Sequence, residues 1–399
     1  MKQLSLCLLI ANLFVFLYYI LYAANAREAI SLEHITSNNG NENTNNKAEG
    51  TYLGQLRKEG SKYATVMAMA SGYELKVYKR FVGTLRKSGF EGNIILGVKE
   101  PLNPEIEQYF KEQNVTPKYL KLVDCSFGTW SEEEMKNIDV HKKELKTCAH
   151  PYNDIKLRWS RFPLLRDWLL ECESCTGPVL VTDARDVFFQ RDPFGIGAPE
   201  VTGLQVFQEH YTQTTAHWLV QWPIKDCKGI DYAEPKYASQ TMLCSGTTIG
   251  TRDAMISYLN EMHQEMKLWM KDPKCWFNTN GDDQSIHNYL YYSNKLSNTV
   301  SIPNRMGIVN TIGVQGDFIL RDHIKEWKEK GLDESQANEK PYFGASENRW
   351  IGNGFGLIDD EGFFVDLDGS RSRVVHQFDR FGLPFDNAIQ GPFRDFIPE

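Results

Sequence analysis

The chain has 399 residues, enough for one large or two ordinary domains, and a hydrophobic fraction of 41% with 22 Phe, 18 Tyr and 9 Trp supplies a sizeable core. A formal net charge of −8 and the lack of any dense Lys/Arg run argue against nucleic acid as the main partner. The balance fits an enzyme body that is soluble apart from an anchor.

Lys2 is followed by an uncharged apolar run, 4–24, long enough to cross a bilayer as a helix. Ala24-Asn25-Ala26 also has the alternating small residues of a signal-peptidase site. Two readings stay open. A retained anchor, which the length of the run favours, makes a single-pass type II protein with a luminal body. Cleavage after Ala26 makes a secreted one. Both put the body in the secretory pathway, at the Golgi or ER. Residues 36–50 are Asn-rich and nearly free of apolar side chains, so they cannot bury enough surface to order themselves. They read as a flexible stem or as a plain tail. The expected organisation is an anchor or signal at 1–26, a stem at 27–60 and one folded domain at 61–399.

Besides Cys7 in the apolar run there are seven cysteines, an odd number, which leaves at least one thiol free or paired with another chain. Structural disulfides are expected among them, with a connectivity that spacing does not reveal. Cys172 and Cys175 have redox or zinc-knuckle spacing, but a lone C-x-x-C is a weak zinc signal. The one glycosylation sequon, Asn114-Val115-Thr116, is followed by Pro117.

From about residue 62 the pattern alternates between strands and helices. The periodicity predicts a strand over 64–70, a helix over 73–88, a strand over 93–98, a helix over 104–113 with Pro104 at its start, and a third strand over 119–123. Such alternation implies βαβ units and a parallel sheet. No G-x-G-x-x-G follows the first strand and no P-loop is present. Residues 156–170 predict one helix, or two split at Pro163, carrying Lys156, Arg158, Arg161 and Arg166. These cations form a solvated helix face or meet a diphosphate.

The most informative stretch is 178–194, PVLVTDARDVFFQRDPF. A short apolar strand ends in Asp183, Asp186 and then Asp192. Ligands of open α/β sheets bind beyond the carboxyl ends of the strands. Carboxylates there suit a hard divalent cation that would in turn hold a phosphate-bearing ligand, and Arg185 among them is a potential phosphate fork. Alternatively, the aspartates only cap a turn after a core strand.

A strand is expected over 203–210, and Ser245, Gly246 and Thr247 within LCSGTTIG (243–250) let a backbone approach a ligand closely. A helix capped by Thr251 or Asp253 follows, and its Met255, Ile256, Leu259, Met262, Met266 and Trp269 form a core stripe. At 281–284, Gly-Asp-Asp-Gln enters another helix, where Asp282 and Asp283 either cap it or face a sugar hydroxyl. His376 follows the apolar pair Val374-Val375 and either completes a metal site begun by the aspartates or is a hydrogen-bonded structural residue.

Four segments in this order, 179–194, 243–255, 281–290 and 374–380, resemble the GT-A-fold nucleotide-sugar glycosyltransferases of the type II membrane kind. The resemblance spans roughly residues 60–385. It implies an α/β fold with a mixed, mostly parallel Rossmann-like central sheet flanked by helices. It also implies a nucleotide-sugar donor, a glycan or glycoprotein acceptor, and Mn²⁺ or Mg²⁺ bridging the donor diphosphate. Asp183 matches the first Asp of the family's Asp-x-Asp motif, and His376 matches its later His ligand. The chain departs from the motif at position 185, which is Arg, with Asp186 one residue on. Either Asp186 takes the metal or Arg185 offsets diphosphate charge and metal dependence weakens; the first is favoured, so the expected ligands are Asp183, Asp186 and His376. Arg185, Ser245, Gly246 and Thr247 are expected at the donor. Asp282 or Asp283 would be the base in an inverting reaction, whereas a retaining one needs no base there. Two other classes compete: a catalytically silent GT-A-like carbohydrate-binding or scaffold protein, and a phosphohydrolase, whose second acid would fall where Arg185 stands.

Overall fold

A computed structural model of the chain describes residues 62–126, 147–272, 282–314 and 363–381, with a few single positions from 275 to 361. All belong to one unit, Leu56–Glu399. The expected anchor and stem lie outside the described residues. Among the described residues no helix is long and apolar enough to cross a membrane.

The first βαβ unit forms as the periodicity predicts. Strand β1 (Thr65–Met69) and strand β2 (Asn93–Lys99) pair in parallel. They are joined by helix α1, continuous through Leu75–Tyr78, Lys79–Gly83 and Thr84–Lys87, whose middle stretch is a π turn. Helix α2 (Pro104–Glu112) starts at Asn103, whose side chain accepts the Glu105 N–H at 2.9 Å, and Pro104 sits where no helical N–H is needed. The third strand lies earlier than predicted. Strand β3 is Val115–Leu120, and Leu122–Asp124 is a separate short strand, β4, paired with β5 (Thr147–Ala149). Pro117 deflects a strand prediction, but β3 is the sheet's edge and its unpaired side tolerates a missing N–H.

Helix α3 (Arg161–Glu171) also corrects the reading: it begins five residues later than predicted and Pro163 does not split it. Pro163 lies in the first turn, where backbone N–H groups have no helical partner to lose. Strand β6 (Val179–Thr182) then runs parallel to β1. After it come β7 (Val187–Phe189), β8 (Leu204–Gln208), helix α4 (Trp218–Lys228), strand β9 (Leu243–Gly250), helix α5 (Arg252–Trp269), helix α6 (Asp282–Tyr292) and strands β10 (Thr299–Ile302), β11 (Val309–Thr311) and β12 (Val374–His376). Helix α4 has no counterpart among the predicted elements. Thr251 caps α5, accepting the Ala254 N–H at 3.3 Å, and the predicted stripe is buried except for Ile256, which is half-buried against the same cluster.

The architecture is mixed α/β. The seven-stranded sheet has the order β10-β8-β9-β6-β1-β2-β3 and is parallel except at β9, which is antiparallel to both neighbours. Helices cover both faces, so the central strands β1 and β6 are buried on both and mostly apolar. Val179 and Val181 of β6 pack with α3, α5 and α6, while Leu180 packs with α1 and α2 on the other face. A second, three-stranded sheet, β11-β12-β7, is parallel between β11 and β12 and antiparallel between β12 and β7. Thr84 of α1 ties it to the main sheet by accepting the Phe189 N–H at 3.1 Å. Disulfides join Cys125 to Cys148 and Cys172 to Cys175, so the C-x-x-C pair is bridged, while Cys227, Cys244 and Cys275 are free thiols.

Candidate metal centre

The segment 183–186 is the crossing between the two sheets. Strand β6 ends at Thr182, opposite Thr247 of β9, and the Asp183 N–H donates to the Gly246 carbonyl at 2.8 Å. Four residues later the chain is in β7, which pairs with β12 so that Val187 faces His376. The Gln377 N–H donates to the Asp186 carbonyl at 2.8 Å and fixes the end of the crossing. Strand pairing thus brings residues 190 positions apart to one point.

There Asp183, Asp186 and His376 each offer one ligand atom, all within 4.8 Å of one another. Among the described residues no other group of three or more His, Cys, Asp or Glu converges in this way. His376 Nε2 lies 3.6 Å from Asp183 Oδ2 and 3.8 Å from Asp186 Oδ2. The imidazole is buried, yet Nε2 has no hydrogen-bond partner, while Nδ1 lies 3.5 Å from Cys244 Sγ. A buried polar atom without a partner is costly and calls for an explanation. Two carboxylate oxygens and an imidazole nitrogen are a donor set that suits Mn²⁺ or Mg²⁺.

The charges here are strongly coupled. Burial opposes ionisation of Asp183, but Arg161 and then His376 hold its carboxyl down at about 2. Burial raises Asp186, and the neighbouring Asp183 and Asp379 raise it further against the pull of His376. Burial also works against a charged imidazole at His376, but Cys244, Asp183 and Asp186 more than offset it, lifting its pKa well above the usual histidine range. Two carboxylates in different environments thus titrate apart.

Arg161 is the group that composition and spacing left among the helix cations. It is not on a solvated face: Nη1 donates to Asp183 Oδ1 at 2.8 Å and Nη2 to Asp283 Oδ2 at 2.5 Å. It therefore links the candidate ligand Asp183 to the candidate base Asp283 at the start of α6. The side chain of Asp282 lies outside the described residues.

Of the expected donor residues, Gly246 is at the site. An added Cβ would lie 2.6 Å from Asp183 Oδ2 and 2.6 Å from His376 Cε1, so only glycine lets the carboxylate and imidazole approach. Strand alternation puts Cys244 on the same face and Ser245 and Thr247 on the other. Thr247 is buried and its hydroxyl unpartnered. Arg185 points outward and pairs with Asp379 at 3.0 Å, its side chain 62% exposed.

Three further contributors were not among the expected site residues. Glu209, just past β8, accepts from Gln377 Nε2 at 3.2 Å and from Gln284 Nε2 at 3.5 Å, while its buried Oε2 has no hydrogen-bond partner. Gln377 has a positive φ of 63°, unusual outside glycine and frequent at functional sites. Cys244 closes the side of the imidazole away from the carboxylates. A polar residue at a strand's carboxyl end was the available signal for Glu209.

No family model matches this chain, and no curated protein matches it.

Proposed function

We propose that the chain is a divalent-metal-dependent glycosyltransferase of GT-A type that moves a sugar from a nucleoside-diphosphate donor to a hydroxyl of a glycan or glycoprotein in the secretory pathway. The observation that carries this reading is the convergence of Asp183 Oδ2, Asp186 Oδ2 and the buried His376 Nε2, which makes no hydrogen bond, beyond the carboxyl end of β6. That is where ligands of open α/β sheets are bound.

Asp183, Asp186 and His376 would hold Mn²⁺ or Mg²⁺. Such a cation, when bound, neutralises charge developing on a departing diphosphate. The chain's own groups do the rest. Arg161 keeps Asp183 ionised and oriented, and Gly246 leaves room for the ligand set. Arg185, held at the rim by Asp379, offers a planar cation to phosphate oxygens. Asp283 and Glu209 are the carboxylates that can take a proton from an acceptor hydroxyl, Asp283 while ion-paired to Arg161 and Glu209 through its free Oε2. The exposed indoles of Trp218 and Trp222, with ring centres 5.8 Å apart, give a face on which acceptor sugars can stack. The N-terminal apolar run accounts for membrane attachment in this reading.

The test uses the full chain with a panel of nucleotide sugars, following slow donor hydrolysis with Mn²⁺ and with EDTA. Hydrolysis of one donor that disappears in EDTA is the expected result. Failure of every donor to be hydrolysed or to shift the melting temperature would refute the reading and leave a silent binding domain.

A further inference from the structure

A second site of opposite charge lies at the far end of the β7–β12 ladder. There a cavity of about 380 Å³ is lined by Lys87, Glu91, Arg191, Asp192, Ile196 and Arg373, among others. Arg373 directly precedes β12 and Arg191 follows β7 by two residues, so the ladder separates both from Asp186 and His376 by roughly 10–15 Å at about 3.3 Å per strand residue.

The two guanidinium groups converge on one point. A Cβ added at Gly197 would lie 3.5 Å from Nη2 of Arg373 and 3.9 Å from Nη2 of Arg191. Gly197 has a φ of +74°, so the chain reaches this position in a conformation that leaves the space between the cations open. Arg373 is 5% exposed, and the partners seen for its guanidinium are backbone carbonyls, those of Asp192 and Ile196, the latter at 2.8 Å. Among the described residues the Arg191 side chain makes no hydrogen bond or ion pair.

Bringing like charges together in a partly desolvated place is unfavourable unless an opposite charge joins them. The consequence is visible at Arg373, whose pKa burial and then the Arg191 charge lower to about 10. Asp192 and Asp366 pull the other way and offset this only in part. Asp192 Oδ1 is engaged by the Phe194 N–H at 2.9 Å. Asp366 accepts the Ser372 hydroxyl at 2.6 Å, and burial pushes its carboxyl up to about 6. Glu91 lies across the cavity on the α1 side.

We propose that this cavity is a binding site for a tetrahedral oxyanion, a phosphate or sulfate, free or carried on a sugar ring, held between Arg191 and Arg373. Planar guanidinium forks match such oxyanions in geometry and charge. The volume is within the range of small-molecule sites and admits a monosaccharide bearing one such group. The inference does not depend on the glycosyltransferase reading, because no residue of the metal cluster lines the cavity.

The test uses the full chain in EDTA, titrated calorimetrically with inorganic phosphate, sulfate, glucose 6-phosphate and glucose 6-sulfate against chloride at constant ionic strength. Saturable binding of phosphate and sulfate is expected, weakened at least about tenfold in Arg191→Gln and retained in Asp183→Asn. Sugar esters binding about tenfold more tightly than the inorganic ions would assign a substituted glycan, and equal affinity would assign the free ion; both outcomes support the site. Binding no stronger than chloride, equal affinity in Arg191→Gln, or loss in Asp183→Asn would overturn it. Without any anion, Arg191→Gln is expected to melt at the wild-type temperature or above, since it removes the repulsion on Arg373 and no hydrogen bond or ion pair, and the attraction to Asp366 ranks below the burial of that carboxyl. A lower melting temperature would show that Arg191 is structural and would also overturn the proposal.

Discussion

The β7–β12 ladder carries a like-charge pair at each end, and the two ends are balanced differently. At the Asp186/His376 end the charges are carboxylates, and the fold supplies its own counter-charges: Arg161 on Asp183, and an imidazole whose pKa is raised. At the Arg191/Arg373 end the charges are guanidiniums, and the partners seen for Arg373 are neutral backbone carbonyls. The first end can persist without a ligand because its excess charge is met from within. The second depends more on what the solvent provides. Burial alone does not make a ligand site; what matters is how much of the buried charge the protein itself neutralises.

The largest way to break this contrast is at the carboxylate end. Asp183→Ala removes a ligand atom and the anchor of Arg161 Nη1. We expect donor hydrolysis to fall at least about 100-fold and stabilisation by Mn²⁺ to vanish from the thermal melt, with phosphate binding intact. Unchanged turnover in this variant would sink the metal assignment. Next comes Arg161→Met, which strands the Asp183 and Asp283 carboxylates without their shared cation. It should cost about 2–4 kcal/mol in urea unfolding, and saturating Mn²⁺ should restore part of the loss by replacing the missing charge. An equal loss with and without Mn²⁺ would mean that the ion does not sit on Asp183. Smaller again is Gly246→Ala, whose added methyl intrudes between Asp183 and His376. Mn²⁺ affinity measured calorimetrically should drop roughly 10–100-fold, as it does when the surroundings of a ligand set are disturbed.

The parts of this arrangement that were legible in sequence are those with a local cause. Alternating strands and helices, the apolar run 179–182, the Thr251 cap and the Met stripe of α5 follow from periodicity and capping over a few residues. The convergence of Asp183, Asp186 and His376 was anticipated only through the order of motifs, because the pairing of Val187 with His376 spans 189 residues and no local pattern encodes it. Arg161 read as one of four helix cations, since its partners lie 22 and 122 positions away. Glu209 carried only a weak signal, a polar residue at the carboxyl end of a strand, and the Arg191/Arg373 pair carried none: two arginines far apart in sequence acquire meaning only from the pairing of β7 with β12. Ser245, Gly246 and Thr247 were grouped as small residues that let a backbone approach a ligand; the segment is strand β9, in which Gly246 lies against Asp183 and His376.

The smallest effect tests how far the carboxylate end reaches. His287 of α6 is buried, with Nδ1 2.8 Å from the Tyr258 hydroxyl, and burial, helped by the Arg161 charge, lowers its pKa to about 3. The unfolded imidazole titrates near 6.5, so below that pH the unfolded chain takes up a proton that the folded chain refuses. Stability contributed by the neutral ring is therefore present above about 6.5 and is lost progressively as pH falls toward 3. Between pH 7 and 6 the loss from this group is about 0.7 kcal/mol. His376 has the opposite sign: its raised pKa contributes stability below 6.5 that fades as pH rises through its folded value, so the two act in different windows. His263, lowered to about 4 mainly by burial, adds to the acid slope, and the difference between wild type and His287→Asn isolates the one group. Urea unfolding at pH 7 and pH 6 should show the slope reduced by that amount in the variant. With a folded pKa near 3 the slope between pH 7 and 6 is set by the unfolded chain, so Arg161→Met should instead raise the pH, near 3, at which the loss from His287 ends, whereas Arg191→Gln, at the other end of the ladder, should leave that end point unchanged. An end point that moves in Arg191→Gln and not in Arg161→Met would mean that the two charged ends are not electrostatically separate.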